Sequence, residues 1–380
     1  MLNNEEMSAL VQPIINIYNQ MELDLIVDIA KRFDKYDEIG GSLEWQLKKL
    51  DELGTLNADA VKTIARFSEK SQSEIVEMLK KSTFANIDFD GLKNAYNAGA
   101  IVVDPVTLND DVIFSQLIND TFKELNGTFR MIQTKALESA KQAYMTVINR
   151  AYIETATGTY SYNEAIKNAI KRMVDDGITA ATYRRGGKLV NYSIEAAVRR
   201  DTTTATHKLA NKASETVCAE LEAEYVEISA HLGARVHPTN PIANHAGWQG
   251  KVFKVNGSDA KYPNLKESTG YPDDILGLGG VNCRHRMFPF FPGISTPNPI
   301  NFNEAENAKV YKLTQYQRKL ERDMRRLKKQ QAAAAAYGAD EEAEKYGDKI
   351  RAKSAELTAF CKANGLRRDY SRELVAEQIK

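Results

Sequence analysis

The sequence predicts a mainly α protein of long helices with a helical hairpin tail. Embedded in it is a small α+β, loop-rich module that carries histidine and cysteine. Three observations lead to this fold class. Apolar residues recur at three- and four-residue steps over most of the chain. Eight of the ten prolines lie between Pro238 and Pro299, which leaves the remainder nearly free of helix breakers. All five histidines lie between His207 and His285, and the Cys-x-His pair of Cys283 and His285 closes that window.

The elements follow in order. Residues 1–36 read as one amphipathic helix, with Leu10, Ile14, Ile17, Met21, Leu25 and Ile29 on one stripe. Gly40-Gly41 breaks it, Ser42 caps a short helix through Leu53, and Gly54 ends that one. Asn57 or Asp59 opens a third helix to about Ser82, and 83–111 reads as a connector. From Asp111 to about Thr157 a single pattern runs through Leu117, Leu125, Phe129, Ile132, Ala136, Ala140, Tyr144 and Ile148. At ~1.5 Å per residue it spans roughly 70 Å, so it reaches between assemblies or packs against a second long helix. Gly127 within it is a candidate kink.

Ser161 and Glu164 form a capping box for a helix that Gly177 terminates. Two short runs around Gly186-Gly187 read as a hairpin, and Ser193 caps a helix through about Glu224. Val226 to Ser229, Trp248 to Val255 and the C-R-H-R run at Cys283 to Arg286 are strand candidates. After Pro299, Glu304 to Tyr337 and Asp340 to Ala363 read as two charged helices. Gly338 turns them into an antiparallel, coiled-coil-like hairpin. The chain divides on this basis into 1–110, 111–177, 178–300 and 301–380.

Hydrophobic content of 43% and charged content of 27% are those of a folded chain rather than a disordered one. Net charge is zero but unevenly spread. Residues 1–111 hold 11 Lys+Arg against 20 Asp+Glu, residues 112–300 hold 22 against 18, and residues 301–380 hold 18 against 13. An acidic front and a basic rear suit different partners. The first residues carry acids where a secretory signal would carry bases, and no apolar run approaches a membrane span. Three widely spaced cysteines do not make a disulfide framework, which points to a reducing compartment.

The chemistry-bearing residues concentrate in the module. His237, His245, Cys283 and His285, with His231 nearby, supply nitrogen and sulfur donors that suit zinc. The spacing is not that of a zinc finger. The other reading is that these histidines cap turns and bond to backbone. A metal-assisted hydrolase needs a positioned carboxylate, and residues 232–300 offer Asp259, Glu267, Asp273 and Asp274 alone. Gly277-Leu278-Gly279-Gly280 lacks the residues of a phosphate loop and reads as turn-forming glycine. Phe288 to Pro292 reads as an aromatic plug or an interface anchor. In the tail, Lys319, Arg322, Arg326 and Lys329 share one helix face, which could follow a phosphate backbone without reading sequence.

These motifs together resemble a known family. The runs N-H-A-G-W-Q-G-K-V-F from Asn244 and G-L-G-G-V-N-C-R-H-R-M-F-P-F-F-P-G-I-S from Gly277 are similar to the phage minor capsid protein 2 family of tailed bacteriophages. So are Y-S-I-E-A-A-V-R-R-D-T-T-T from Tyr192 and the charged tail from Tyr316 to Glu373. More distantly the module resembles the Mu F-type head-morphogenesis proteins. The resemblance implies a structural, non-enzymatic role in head assembly, inside the capsid near the portal vertex, after synthesis in the host cytoplasm. It implies the portal or major capsid protein as partner, packaged double-stranded DNA as a non-specific contact, and no membrane. It carries no catalytic residues. Trp248, Gly279, Gly280, Arg284, Pro289, Phe290 and Pro292 are the motif positions expected to hold the module together, beside His237, His245, Cys283 and His285. The alternative is a metal-dependent hydrolase that acts during assembly or DNA ejection.

Overall fold

Long helices form where the apolar spacing predicts them. The computed structural model describes residues 3–33, 43–84, 87–108, 111–185 and 188–376. The first helix, α1, spans Asn4–Lys31. Asn3 caps it by accepting from the amides of Glu5 and Glu6, and Glu6 returns a bond to the Asn3 amide. Pro13 lies inside α1 and removes one backbone donor there. Next come α2 (Leu43–Asp51), α3 (Leu53–Phe84) and α4 (Phe89–Asn97). The expected glycine break at 40–41 and the Ser42 cap lie outside the described residues.

Two expectations for this region are corrected. Gly54 does not end a helix but sits in the first turn of α3, where backbone amides lack helical partners in any case. The supposed connector holds α4, which Asp88 caps by accepting from the Gly91 amide and which buries Leu92 and Ala95. Two apolar contacts suffice for a helix too short to show a stripe.

The long pattern is one helix, α5 (Asp111–Ala156), and Gly127 does not end it. It is followed by α6 (Tyr162–Asp176), with the capping box of Ser161 and Glu164 formed and Gly177 at φ 68°. Strands β1 (Thr179–Arg185) and β2 (Lys188–Ser193) pair antiparallel, and the predicted Gly186-Gly187 turn lies outside the described residues. Helix α7 (Ile194–Glu220) begins where Ser193 accepts from the Ala196 amide. A three-stranded antiparallel sheet then has β3 (Tyr225–Ile228) between β4 (Val252–Lys254) and β5 (Met287–Phe290). One-turn helices α8 (His245–Trp248) and α9 (Leu265–Thr269) lie in the loops. The chain continues through α10 (Glu304–Ala336) and α11 (Asp340–Ala363).

Here the strand expectations shift. Trp248 ends α8 instead of starting a strand, because its indole N–H reaches the Ile242 carbonyl at 2.9 Å. Cys283 to Arg286 precede β5 rather than forming a strand.

The chain forms two compact units. The first comprises Met1–Val11, Ser73–Gly127 and Arg199–Gln315, and the second Gln12–Gln72, Thr128–Val198 and Tyr316–Lys380. Both draw on all four sequence segments. The core of the first unit's sheet module gathers Val226, Ile228, Trp248, Phe253, Leu265, Leu278, Cys283 and Met287. Each fully buried large apolar side chain of this kind contributes about 1.5–3 kcal/mol.

In the second unit α1 and α5 run side by side in the same direction. Tyr18 meets Phe129 at 5.0 Å and Phe33, just past the end of α1, meets Tyr144 at 5.2 Å, both ring pairs tilted and at the same interval along the two segments. The tail is an antiparallel hairpin. Tyr316, early in this part of α10, meets Phe360 late in α11 at 4.9 Å, while Gln331 donates to the Ala343 carbonyl at the other end. Leu320, Leu357 and Cys361 form its buried seam. No helix among the described residues is long and apolar enough to cross a membrane.

Candidate functional site

Helix α7 carries His207, Asn211 and Glu215 at four-residue intervals, which puts them on one face. Asn211 is fully buried and uses both ends of its amide. Its Nδ2 donates to the His285 carbonyl at 3.2 Å, and its Oδ1 accepts from the Met287 amide at 3.0 Å. This clamp holds the C-R-H-R-M backbone against α7. Arg235 ties down the glycine loop by donating to the carbonyls of Leu276 (3.0 Å) and Val281 (2.6 Å). Gly279 takes φ 73°, and a Cβ on Gly280 would lie 2.4 Å from the Ile275 carbonyl oxygen. These two glycines are therefore required by the loop's path.

The clamped backbone delivers three donors to one place. His245, Cys283 and His285 are buried, and one ligand atom from each lies within 4.8 Å of the others. Cys283 Sγ is 3.7 Å from His285 Nδ1. Two further histidines crowd the group. The His231 ring stacks on His285 at 4.4 Å between centroids, and His207 is buried on the α7 face that also carries Asn211. Trp248 closes another side, 4.5 Å from the His245 ring and 4.8 Å from that of His285.

The hydrogen bonds fix the tautomers. His245 Nε2 faces the Leu276 carbonyl oxygen at 2.7 Å, and a carbonyl only accepts, so Nε2 carries the proton. Gln249 Oε1 accepts from the His231 amide at 3.0 Å, which sets the orientation of that side chain. His285 Nε2, 3.2 Å from the same oxygen, therefore also donates. In both rings Nδ1 is left with the lone pair.

Burial dominates the electrostatics. It lowers His207 to about 3, helped by the charges of Arg284 and Arg286. It lowers His245 to about 4 and His285 well below the ordinary imidazole range. It pushes the Cys283 thiol up to about 11. Burial thus favours the neutral form of all four groups, His207, His245, His285 and Cys283. A buried thiol of that kind is a poor nucleophile, although it touches an imidazole.

The expected site residues divide clearly. His245, Cys283 and His285 come together. His237 does not join them: it is partly exposed, and its Nδ1 accepts from the amides of Thr239 and Asn240 at 3.3 and 3.0 Å. For that residue the turn-capping reading holds. Trp248 and Phe290 are buried in the core, Pro289 pairs with Val226 across the sheet, Arg284 is half-buried, and Pro292 is exposed. His207, Asn211, Gln249 and Arg235 were not singled out from sequence. For His207 and Asn211 the signal is a polar residue on the apolar face of a helix, for Gln249 a place inside the H-A-G-W-Q-G run, and for Arg235, which lies in a loop, there is none.

The tail needs a correction. Lys319, Arg322 and Arg326 are exposed, as a surface stripe requires. Lys329 is buried and its ammonium lies 2.7 Å from Glu22, so its charge is consumed inside the second unit. A partner some 300 positions away is invisible to local charge patterning.

A cleft of about 750 Å³ beside the sheet is lined by Glu215, Cys218, Lys254, Lys266 and Tyr271. Burial raises the Cys218 thiol to about 12, which keeps that cysteine protonated.

The family described as Phage minor capsid protein 2 matches residues 2–362. The chain belongs to that family. A structural protein of Lactococcus phage LL-H is 26% identical over 348 residues, which cover 87% of this chain and 88% of the relative. A structural protein of Lactococcus phage mv4 is 29% identical over 118 residues, 30% of this chain and 94% of its own length. No solved structure matches.

Proposed function

We propose that this chain is a structural minor protein of the virion, placed inside the head at the portal vertex and used in head assembly. The observation that carries this reading is the family match along residues 2–362, supported by relatives that are themselves described as phage structural proteins. The acidic helices of the first hundred residues would meet the portal or major capsid protein. Lys319, Arg322 and Arg326 would face packaged DNA without reading its sequence.

A structural role also suits the cluster's chemistry. Its three members are nitrogen and sulfur donors, the ligand types of zinc sites that hold small irregular modules together.

Quantitative mass spectrometry of purified phage particles, with the portal protein as internal standard, tests the placement. Copies comparable to or below those of the portal are expected. Hundreds of copies would make it a general shell component, and absence from the particle would overturn the structural reading. For the DNA contact, Lys319→Glu with Arg322→Glu should abolish low-salt DNA binding. Binding that ignores salt, or survives the charge reversal, would remove that contact.

A further inference from the structure

We propose that His245, Cys283 and His285 bind one zinc ion, with ring Nδ1 atoms and the thiolate sulfur as ligands, and that this ion staples the loop module.

Three independent features carry the assignment. The first is convergence. Residues 38 and 40 positions apart in sequence bring three soft donors within 4.8 Å of one another in a buried place. The second is distance. Tetrahedral zinc with Zn–N of ~2.0 Å and Zn–S of ~2.3 Å sets S···N at about 3.5 Å. Cys283 Sγ and His285 Nδ1 stand 3.7 Å apart.

The third is the outer layer. Metal-bound histidines characteristically donate their other ring N–H to a carbonyl or carboxylate, which fixes the tautomer and aims the lone pair. Both histidines here do so, His245 to the Leu276 carbonyl and His285 to Gln249 Oε1. Those acceptors are themselves held. Gln249 is pinned by the His231 amide, and Arg235 donates to the same Leu276 carbonyl. A cluster that served only to fill space would not need two histidines that each have one ring nitrogen held as a donor.

Donor type selects the metal. Two imidazoles and one thiolate suit zinc, and calcium or magnesium would take oxygen. On binding, the Cys283 S–H bond breaks, its proton leaves to solvent, and the S–Zn bond forms. The module has the profile that gains most from such a staple. Its sheet is three short strands, and long loops connect them.

The test uses the full chain. Protein is purified, stripped with chelator, challenged with Zn²⁺ or Co²⁺, and measured by elemental analysis and absorption. The expected result is one zinc per chain and, with cobalt, a near-ultraviolet thiolate-to-cobalt band. Cys283→Ser should lose the band, and His285→Gln should lose stoichiometric metal. His237→Ala and Cys361→Ser should keep both, since the first caps a turn and the second lies in the tail. Chelation of the unmodified chain should lower the melting temperature, a readout that does not depend on any variant folding. No metal uptake by the unmodified chain would overturn the proposal and leave Cys283–His285 as a thiol–imidazole hydrogen bond. Retention of stoichiometric zinc by Cys283→Ser would overturn it too.

Discussion

Around the β3–β5 sheet of the first unit, the buried polar side chains are mostly neutral: His207, His245, His285, Asn211 and Gln249. In the second unit they are mostly ion pairs. Lys329 meets Glu22, Arg325 meets Glu195, Arg372 meets Glu321 and Arg368 meets Glu373, all at 2.7–2.8 Å. All five histidines fall in the first unit and none in the second. The difference teaches that the two bodies respond to different perturbations. Neutral networks fail when a backbone group is orphaned or a proton is forced in. Buried pairs fail when one partner is removed and the other charge is stranded.

The largest effect expected comes from stranding a charge. Lys329→Met leaves Glu22 buried without its cation and should destabilise the second unit by roughly 3–5 kcal/mol, read by denaturant unfolding. Glu22 also accepts from the Ile178 amide at 3.2 Å, so the double variant Glu22→Gln, Lys329→Met keeps that bond and should recover most of the loss. Equal destabilisation in single and double variants would mean that packing, not charge, decides this site.

The neutral counterpart is Asn211→Ala. It orphans the Met287 N–H and the His285 carbonyl together and should cost about 3 kcal/mol, seen as an early unfolding step confined to the first unit. A cost below about 1 kcal/mol would show that the clamp is dispensable.

Acid separates the units next. His207 is held neutral by burial, at about 3, and an unfolded histidine titrates near 6.5. Below about pH 6.5 the unfolded chain binds a proton that the folded chain refuses. The stabilisation is therefore complete above that pH and is lost as pH falls from about 6.5 towards about 3, at up to ~1.4 kcal/mol per pH unit. Stability against pH, measured for the chain and for His207→Gln, checks this, and the variant should have the shallower slope.

The smallest effect is Ser161→Ala, which removes the α6 cap and should cost about 1 kcal/mol in the second unit alone.

The same contrast explains what the sequence made legible. Local signals were read correctly: the α5 stripe, the Ser161–Glu164 box, the β1–β2 pairing and the tail hairpin all rest on neighbours within a few residues. The cluster was read in part. Cys283 and His285 announce themselves by adjacency, and His245 by its motif. His237 looked equivalent, yet a turn three residues long claims its lone pair. Asn211 and His207 enter from a helix more than 70 positions before β5, and a polar residue on an apolar helix face does not by itself say what it will meet. Lys329 was misplaced for the same reason, since Glu22 is at the far end of the chain. The division into two units is a property of such distant contacts and has no local signature.

The most direct measurement of the contrast is hydrogen exchange by mass spectrometry at pH 7 and pH 5, corrected for intrinsic rates. The account predicts that amides of Tyr225–Ile228 and Met287–Phe290 lose protection on acidification, while those of Tyr162–Asp176 and Asp340–Ala363 keep theirs. Loss of protection in the helical unit first, or in both units together, would contradict it.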